Sequence, residues 1–199
     1  MVEYIHNDDM DAGLAGVKPS DCALLVIDAL GKVEGTPLED VLLAPTNNIA
    51  RLCRAAREKG IPVVFANDAH FEGIDHELDL WGRHGIAGTP EAQPSPQLEL
   101  QDGDYVVDKP KYSAFFQTRL RSLLGDLGAR TLVMCGFDTN ICVKHTAADA
   151  YFNRFAIVLV DDATGTFLIG DQREGLEYMQ KCYAARLAST DEVVRLFES

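Results

Sequence analysis

Basic residues are scarce in this chain of 199: 18 lysines and arginines stand against 31 acidic side chains, a formal charge of −13 at pH 7. No basic stripe or Lys/Arg cluster interrupts that excess, and so acidic a surface repels phosphate backbones, which argues against nucleic-acid binding. Long apolar runs are also lacking, and none approaches the roughly 20 residues a bilayer-spanning helix needs. The opening stretch MVEYIHNDDMDAGLAG has neither the basic nor the apolar region of a signal peptide. A soluble, cytoplasmic protein with no membrane partner is expected. Cysteine is sparse and odd in number: Cys22, Cys53, Cys135, Cys142 and Cys182, with no CxxC spacing. That argues against a disulfide framework or a clustered-thiolate zinc site and predicts reduced thiols, most of them small buried apolar groups. The turn after the first apolar run reads DALGKVEG. It lacks GxGxxG, and no P-loop GK[ST] occurs, so dinucleotide and P-loop nucleotide binding are disfavoured.

What the chain does contain is alternation. Strand-length apolar runs fall at 22–28, 61–68, 104–109, 131–137, 155–162 and 184–188. Helical periodicity fills 38–59, 118–127, 142–153 and 171–182, with a last helix capped by Thr190 or Asp191. Continuous apolar strands separated by helices imply a mainly parallel sheet covered on both faces. The expected fold is therefore a single three-layer α/β/α domain with a mainly parallel six-stranded sheet over residues 21–199, preceded by an N-terminal extension over residues 1–20. A chain this long can bury about 70% of its unfolded surface. The segment 69–101, rich in Pro, Gly and acidic residues and without a period, is a long loop of the kind that carries function.

In open parallel sheets, ligands sit beyond the carboxyl ends of the strands. There the sequence places Asp28 after the first strand, Asp68 after the second, Lys109 after the third and Cys142 after the fourth. Cys142 opens a helix, where unpaired N–H groups favour a thiolate and can stabilise an oxyanion. Taken singly, each residue has a plainer reading as a turn cap, a solvated lysine or a packed thiol. Together they place a nucleophile, a base and a cation on one sheet edge. The long loop adds His70 two residues beyond Asp68, and Trp81-Gly82-Arg83-His84. One carboxylate and two imidazoles suit a zinc-type ion with an open position, while hydrogen-bonded loop histidines are the plainer alternative. Lys32 and Arg83 are either contacts for a polar or anionic substrate or ordinary solvated cations.

The blocks LLVID (24–28), VVDKPKYSAFFQTRL (106–120) and GFDTNICVKHTAADA (136–150), followed by VDDATG, resemble the isochorismatase-like cysteine hydrolases, which include nicotinamidases and N-carbamoylsarcosine amidases. The resemblance covers residues 22 to about 162. It implies a Rossmann-like isochorismatase fold, an Asp28–Lys109–Cys142 triad with Lys109 rather than Lys111 as its lysine, and cleavage of a small C–N amide bond through a thioester. It also implies an oxyanion hole from the backbone N–H groups of Asp138 and Cys142, with a cis peptide at Phe137–Asp138. No cofactor is required for the triad chemistry. Asp68, His70 and His84 match the substrate-binding metal site of nicotinamidases, and the implied partners are a small amide or ureide and further copies of the chain in a dimer or tetramer. Two departures weaken a nicotinamide assignment: Ala29-Leu30-Gly31-Lys32-Val33 has no aromatic, and Gly85 stands where a cysteine is usual. Trp81, Tyr112, Phe115 and Phe137 are the expected pocket walls. A non-catalytic ligand-binding protein on the same fold is the main alternative, and a thiol redox enzyme, lacking a resolving cysteine, is the weakest.

Overall fold

The structure, a computed structural model, describes residues 13–199. Six parallel strands form one sheet: β1 (Cys22–Ile27), β2 (Val63–Asp68), β3 (Tyr105–Lys109), β4 (Thr131–Phe137), β5 (Ala156–Gly165) and β6 (Arg186–Ala188), in the order β3-β2-β1-β4-β5-β6. The helices are α1 (Glu39–Glu58), α2 (Glu77–Trp81), α3 (Leu120–Asp126), α4 (Lys144–Phe152), α5 (Gln172–Tyr183) and α6 (Thr190–Glu198).

β1 is buried along its whole length, and its alternation divides the core. Cys22, Leu24 and Val26 face a cluster with α1 and α6, whereas Ala23, Leu25 and Ile27 face one with α3, α4 and α5. Each fully buried aliphatic side chain contributes about 1.5–3 kcal/mol, so this strand fixes both layers. α6 starts one residue earlier than the sequence predicts. Its N-cap is Ser189, in a reciprocal capping box with Glu192, which satisfies two end groups where Thr190 or Asp191 would satisfy fewer. The loop 69–101 contains the short α2 and two 3-10 turns at Pro90–Ala92 and Pro96–Leu98.

Of the expected N-terminal extension, residues 1–12 lie outside the described residues. The rest packs on this same domain: Leu14 and Val17 touch the core, and Arg186 donates to the Gly13 and Ala15 carbonyls. Among the described residues no helix is long and apolar enough to cross a membrane.

The chain runs from β1 outward to β3, then returns to the other side of β1 with β4. The crevice at that reversal, between the ends of β1 and β4, is where an open parallel sheet presents a ligand site. At the crossing, Gly136 has φ +115°, and a Cβ there would lie 1.9 Å from the Ile27 carbonyl oxygen. Only glycine lets β4 pass β1 this closely.

Candidate active site

Asp28, the residue after β1, adopts the left-handed conformation at φ 46°. One carboxylate oxygen accepts from the Asp68 amide at 2.8 Å. The other faces Lys109 Nζ at 2.8 Å but makes no hydrogen bond of good angle. Lys109 ends β3 with its side chain fully buried, unlike a solvated strand-end lysine. Its ammonium contacts Asp28, Asp68 Oδ1, the Lys111 carbonyl at 3.3 Å and Cys142 Sγ at 3.4 Å. Lys111, the rival lysine, instead pairs with Asp75 at a partly exposed position. The structure thus brings Asp28, Lys109 and Cys142 together and adds Asp68 as a fourth member.

Burial and the Asp68 carboxylate push Asp28 up to about 7. Burial works against the charge of Asp68 too, but Lys109 and His70 outweigh it and hold Asp68 down to about 2. Lys109 is likewise opposed by burial, yet its anionic neighbours hold it well above the usual lysine range. Burial and then Asp28 push the Cys142 thiol up despite Lys109. Burial thus outweighs the helix start, and the sulfur lies 3.4 Å from the Lys109 ammonium that also pairs with Asp28.

Cys142 lies in a π-helical turn, Thr139–Val143, that leads into α4. The turn is latched by Asp138, whose carboxylate accepts from the amides of Asn140, Phe167 and Leu168 and from the Thr166 hydroxyl. The expected cis peptide at Phe137–Asp138 is absent, since no peptide among the described residues is cis. Asp138 sits in ordinary extended backbone, φ −72° and ψ 141°, which a trans link reaches without strain. Among the other thiols, Cys22, Cys53 and Cys135 are buried as expected, whereas Cys182 is exposed on α5.

A cavity of about 410 Å³ opens over these groups, lined by Asp28, Asp68, Asp138 and Cys142. Of the predicted walls, Trp81, Tyr112 and Phe137 line it, and the Trp81 indole donates to the Tyr112 hydroxyl at 3.0 Å. Phe115 does not. Ser113 and Ala114 are bonded to Asp149 and Thr146 of α4, which turns the following ring away to pack 5.9 Å from Phe155. Lys32 is exposed and off the cavity, while Arg83 lines its edge between Glu72 and Glu91.

Asp68, His70 and His84 also converge, with one donor atom from each within 4.8 Å of the others. Asp68 Oδ2 lies 3.6 Å from His70 Nε2 and 3.9 Å from His84 Nε2. His70 is fully buried, its Nδ1 faces Asp75, and its Nε2 has no hydrogen-bond partner. Asp68 therefore joins the lysine cluster to the histidine cluster through its two oxygens. Glu77, on α2, was not legible in the sequence as a site residue, yet it is buried, lines the cavity and lies 3.9 Å from His70 Nε2. Burial and the Asp68 carboxylate also push its pKa up. Gly85, at φ +50°, packs against Asp68, and a Cβ there would lie 2.8 Å from Asp68 Cβ, so no side chain fits there without a shift.

Comparison with known proteins agrees with this architecture. The Isochorismatase domain model matches residues 22–192. The ureidoacrylate amidohydrolase RutB of Variovorax paradoxus is 29% identical over 206 residues, covering 89% of this chain and 82% of that protein. Among solved structures, N-carbamoylsarcosine amidase from Thermoplasma acidophilum aligns with a TM-score of 0.76 at 31% identity, covering 86% of this chain and 97% of that one. The pyrazinamidase of Pyrococcus horikoshii, solved in complex with zinc, aligns with a TM-score of 0.73 at 26% identity over 85% and 99% of the two chains. A family match spanning all six strands of the sheet, on a chain with this strand order, places the protein in the isochorismatase family of hydrolases.

Proposed function

We propose that the protein hydrolyses a C–N bond of a small amide or ureide, with Cys142 as nucleophile, Asp28 as proton acceptor and donor, and Lys109 as the cation that holds both. The observation that carries this reading is the buried Lys109 ammonium in contact with Asp28 and, at 3.4 Å, with the Cys142 sulfur. A thiol, a buried carboxylate and a fixed cation at the floor of one cavity form the arrangement that nucleophilic acyl transfer requires.

The thiol proton passes to Asp28 as sulfur attacks the substrate carbonyl and a C–S bond forms. Lys109 stabilises the single negative charge as it passes from Asp28 to sulfur with the proton transfer. The carbonyl oxygen becomes an oxyanion that accepts from the backbone N–H groups of Asp138 and Cys142. On collapse the C–N bond breaks, and the departing nitrogen takes the proton from Asp28. Water then loses a proton to Asp28, attacks the thioester, and the sulfur leaves and is reprotonated by Asp28.

Asp68, His70 and His84 fit a divalent ion of the zinc type. The buried His70 Nε2 has no hydrogen-bond partner and lies 3.6 Å from Asp68 Oδ2, and one carboxylate with two imidazoles is a borderline-soft donor set. Bound there, the ion would anchor or polarise a donor atom of the substrate. Elemental analysis of tag-free protein should find about one metal per chain, and a stoichiometry near zero removes the metal from this reading.

Cys142→Ala should fold with an unchanged circular dichroism spectrum and lose ammonia release from small amides by at least about a thousandfold. Undiminished turnover in that variant would sink the proposal. In the wild type, iodoacetamide at neutral pH should alkylate Cys142 ahead of the three other buried thiols, because only Cys142 faces a base and an open cavity.

A further inference from the structure

The cavity lining divides by strand. Polar and charged lining residues come from the end of β2 and the loop after it (Asp68, Glu77, Arg83, His84 and Glu91). Aliphatic and aromatic lining comes from two other segments: Leu30, Val33, Leu38 and Leu42 between β1 and the start of α1, and Phe167 and Leu168 after β5. Leu42 and Phe137 meet at the end of β5, where a Cβ added to Gly165 would touch both. Arg83 is the only lysine or arginine that lines the cavity among the described residues. Asp138 lies there too, but its carboxylate already accepts four hydrogen bonds and serves to hold Phe167 and Leu168 in place. Arg83 is already paired with Glu72 at 2.8 Å and Glu91 at 2.5 Å.

We infer that the substrate is an amide or ureide carrying an uncharged apolar substituent that packs on the Leu30–Leu42 and Phe167–Leu168 wall, and that a carboxylate in that position is rejected. The inference rests on the hydrolase reading for the placement of the scissile bond at Cys142. A carboxylate on this wall would lose its water and gain no partner, whereas an alkyl or aryl group removes apolar surface from water on both sides. Partly exposed Leu38 and Leu168 complete the rim, so the gain extends to the mouth of the cavity.

Isocaproamide and succinamate test this directly, because an isopropyl group in one replaces a carboxylate in the other. Binding of each to Cys142→Ala is measured before and after chelation, and isocaproamide should bind at least about tenfold more tightly in both preparations. Equal affinity, or preference for succinamate in either preparation, overturns the inference. Leu168→Lys places a cation on the rim while keeping the backbone N–H to Asp138, and should narrow the preference several-fold; an unchanged ratio also counts against the wall. Should Cys142→Ala fail to fold, the ratio of kcat/KM for the two amides in the wild type decides by the same criterion. Ammonia release by the wild type is read separately. Tight apolar binding without turnover of any small amide removes the hydrolase reading and leaves the wall, whereas turnover with no apolar preference removes the wall alone.

Discussion

Lys109 carries a full ammonium group into the protein interior, and its three ionisable neighbours make that tenable. Asp28, Asp68 and Cys142 all contact it, so removing the charge leaves two buried carboxylates facing each other without compensation. Breaking a buried ion cluster from one side is strongly destabilising. Lys109→Met is therefore expected to lower stability in urea by about 3 kcal/mol and to abolish amide turnover. An unchanged unfolding midpoint would show that the lysine does not hold the carboxylates. The three strand-end residues were legible in the sequence because a polar side chain closing an apolar run marks the sheet's ligand edge. The burial of Lys109 and the double role of Asp68 were not, because both depend on which strands become neighbours. Glu77 was hidden for the same reason: nothing in its local sequence separates it from the other acidic residues of the 69–101 loop.

Among the elements, the turn after β4 is the one on which the site depends. Its Asp138 carboxylate accepts two hydrogen bonds from the 166–168 segment backbone and one from Thr166, in addition to capping its own turn. Hydrogen bonds to a charged group contribute about 1.5–3 kcal/mol when intact. Asp138→Ala should cost at least about 2 kcal/mol, speed amide hydrogen exchange at Phe167 and Leu168, and raise KM. Exchange at those two amides no faster than in the wild type would show that the carboxylate is not the latch. The helix after this turn was expected from its place between two apolar runs, and its N-terminal position drew attention to Cys142. The latch itself spans about 30 residues of sequence, which no local pattern encodes. The KYSAF block shows the converse limit. Its spacing marked aromatic residues, but the bonds of Ser113 and Ala114 to α4 decide that Tyr112 faces the cavity and Phe115 the core.

At the scale of the whole molecule, stability and chemistry occupy different ends of the sheet. The parallel arrangement and its two buried faces followed from the apolar runs alone, whereas the position of β4 beside β1, which creates the crevice, is a matter of topology. α6 lies on the α1 face of the core, contributing Val193 and Phe197 to it, and none of its residues lines the cavity. Its capping box joins Ser189 and Glu192 and is reinforced by Asp162, which accepts from both the Thr190 amide and its hydroxyl. Loss of an N-cap side chain costs about 1 kcal/mol, and in a domain of this size that lowers Tm by about 2–4 °C. Ser189→Ala should show that shift and retain wild-type kcat/KM, because the strands between α6 and the crevice are held by the rest of the core. A parallel loss of activity at temperatures well below the shifted Tm would mean that α6 and the crevice are coupled, and that fold maintenance and catalysis are not separable along the sheet.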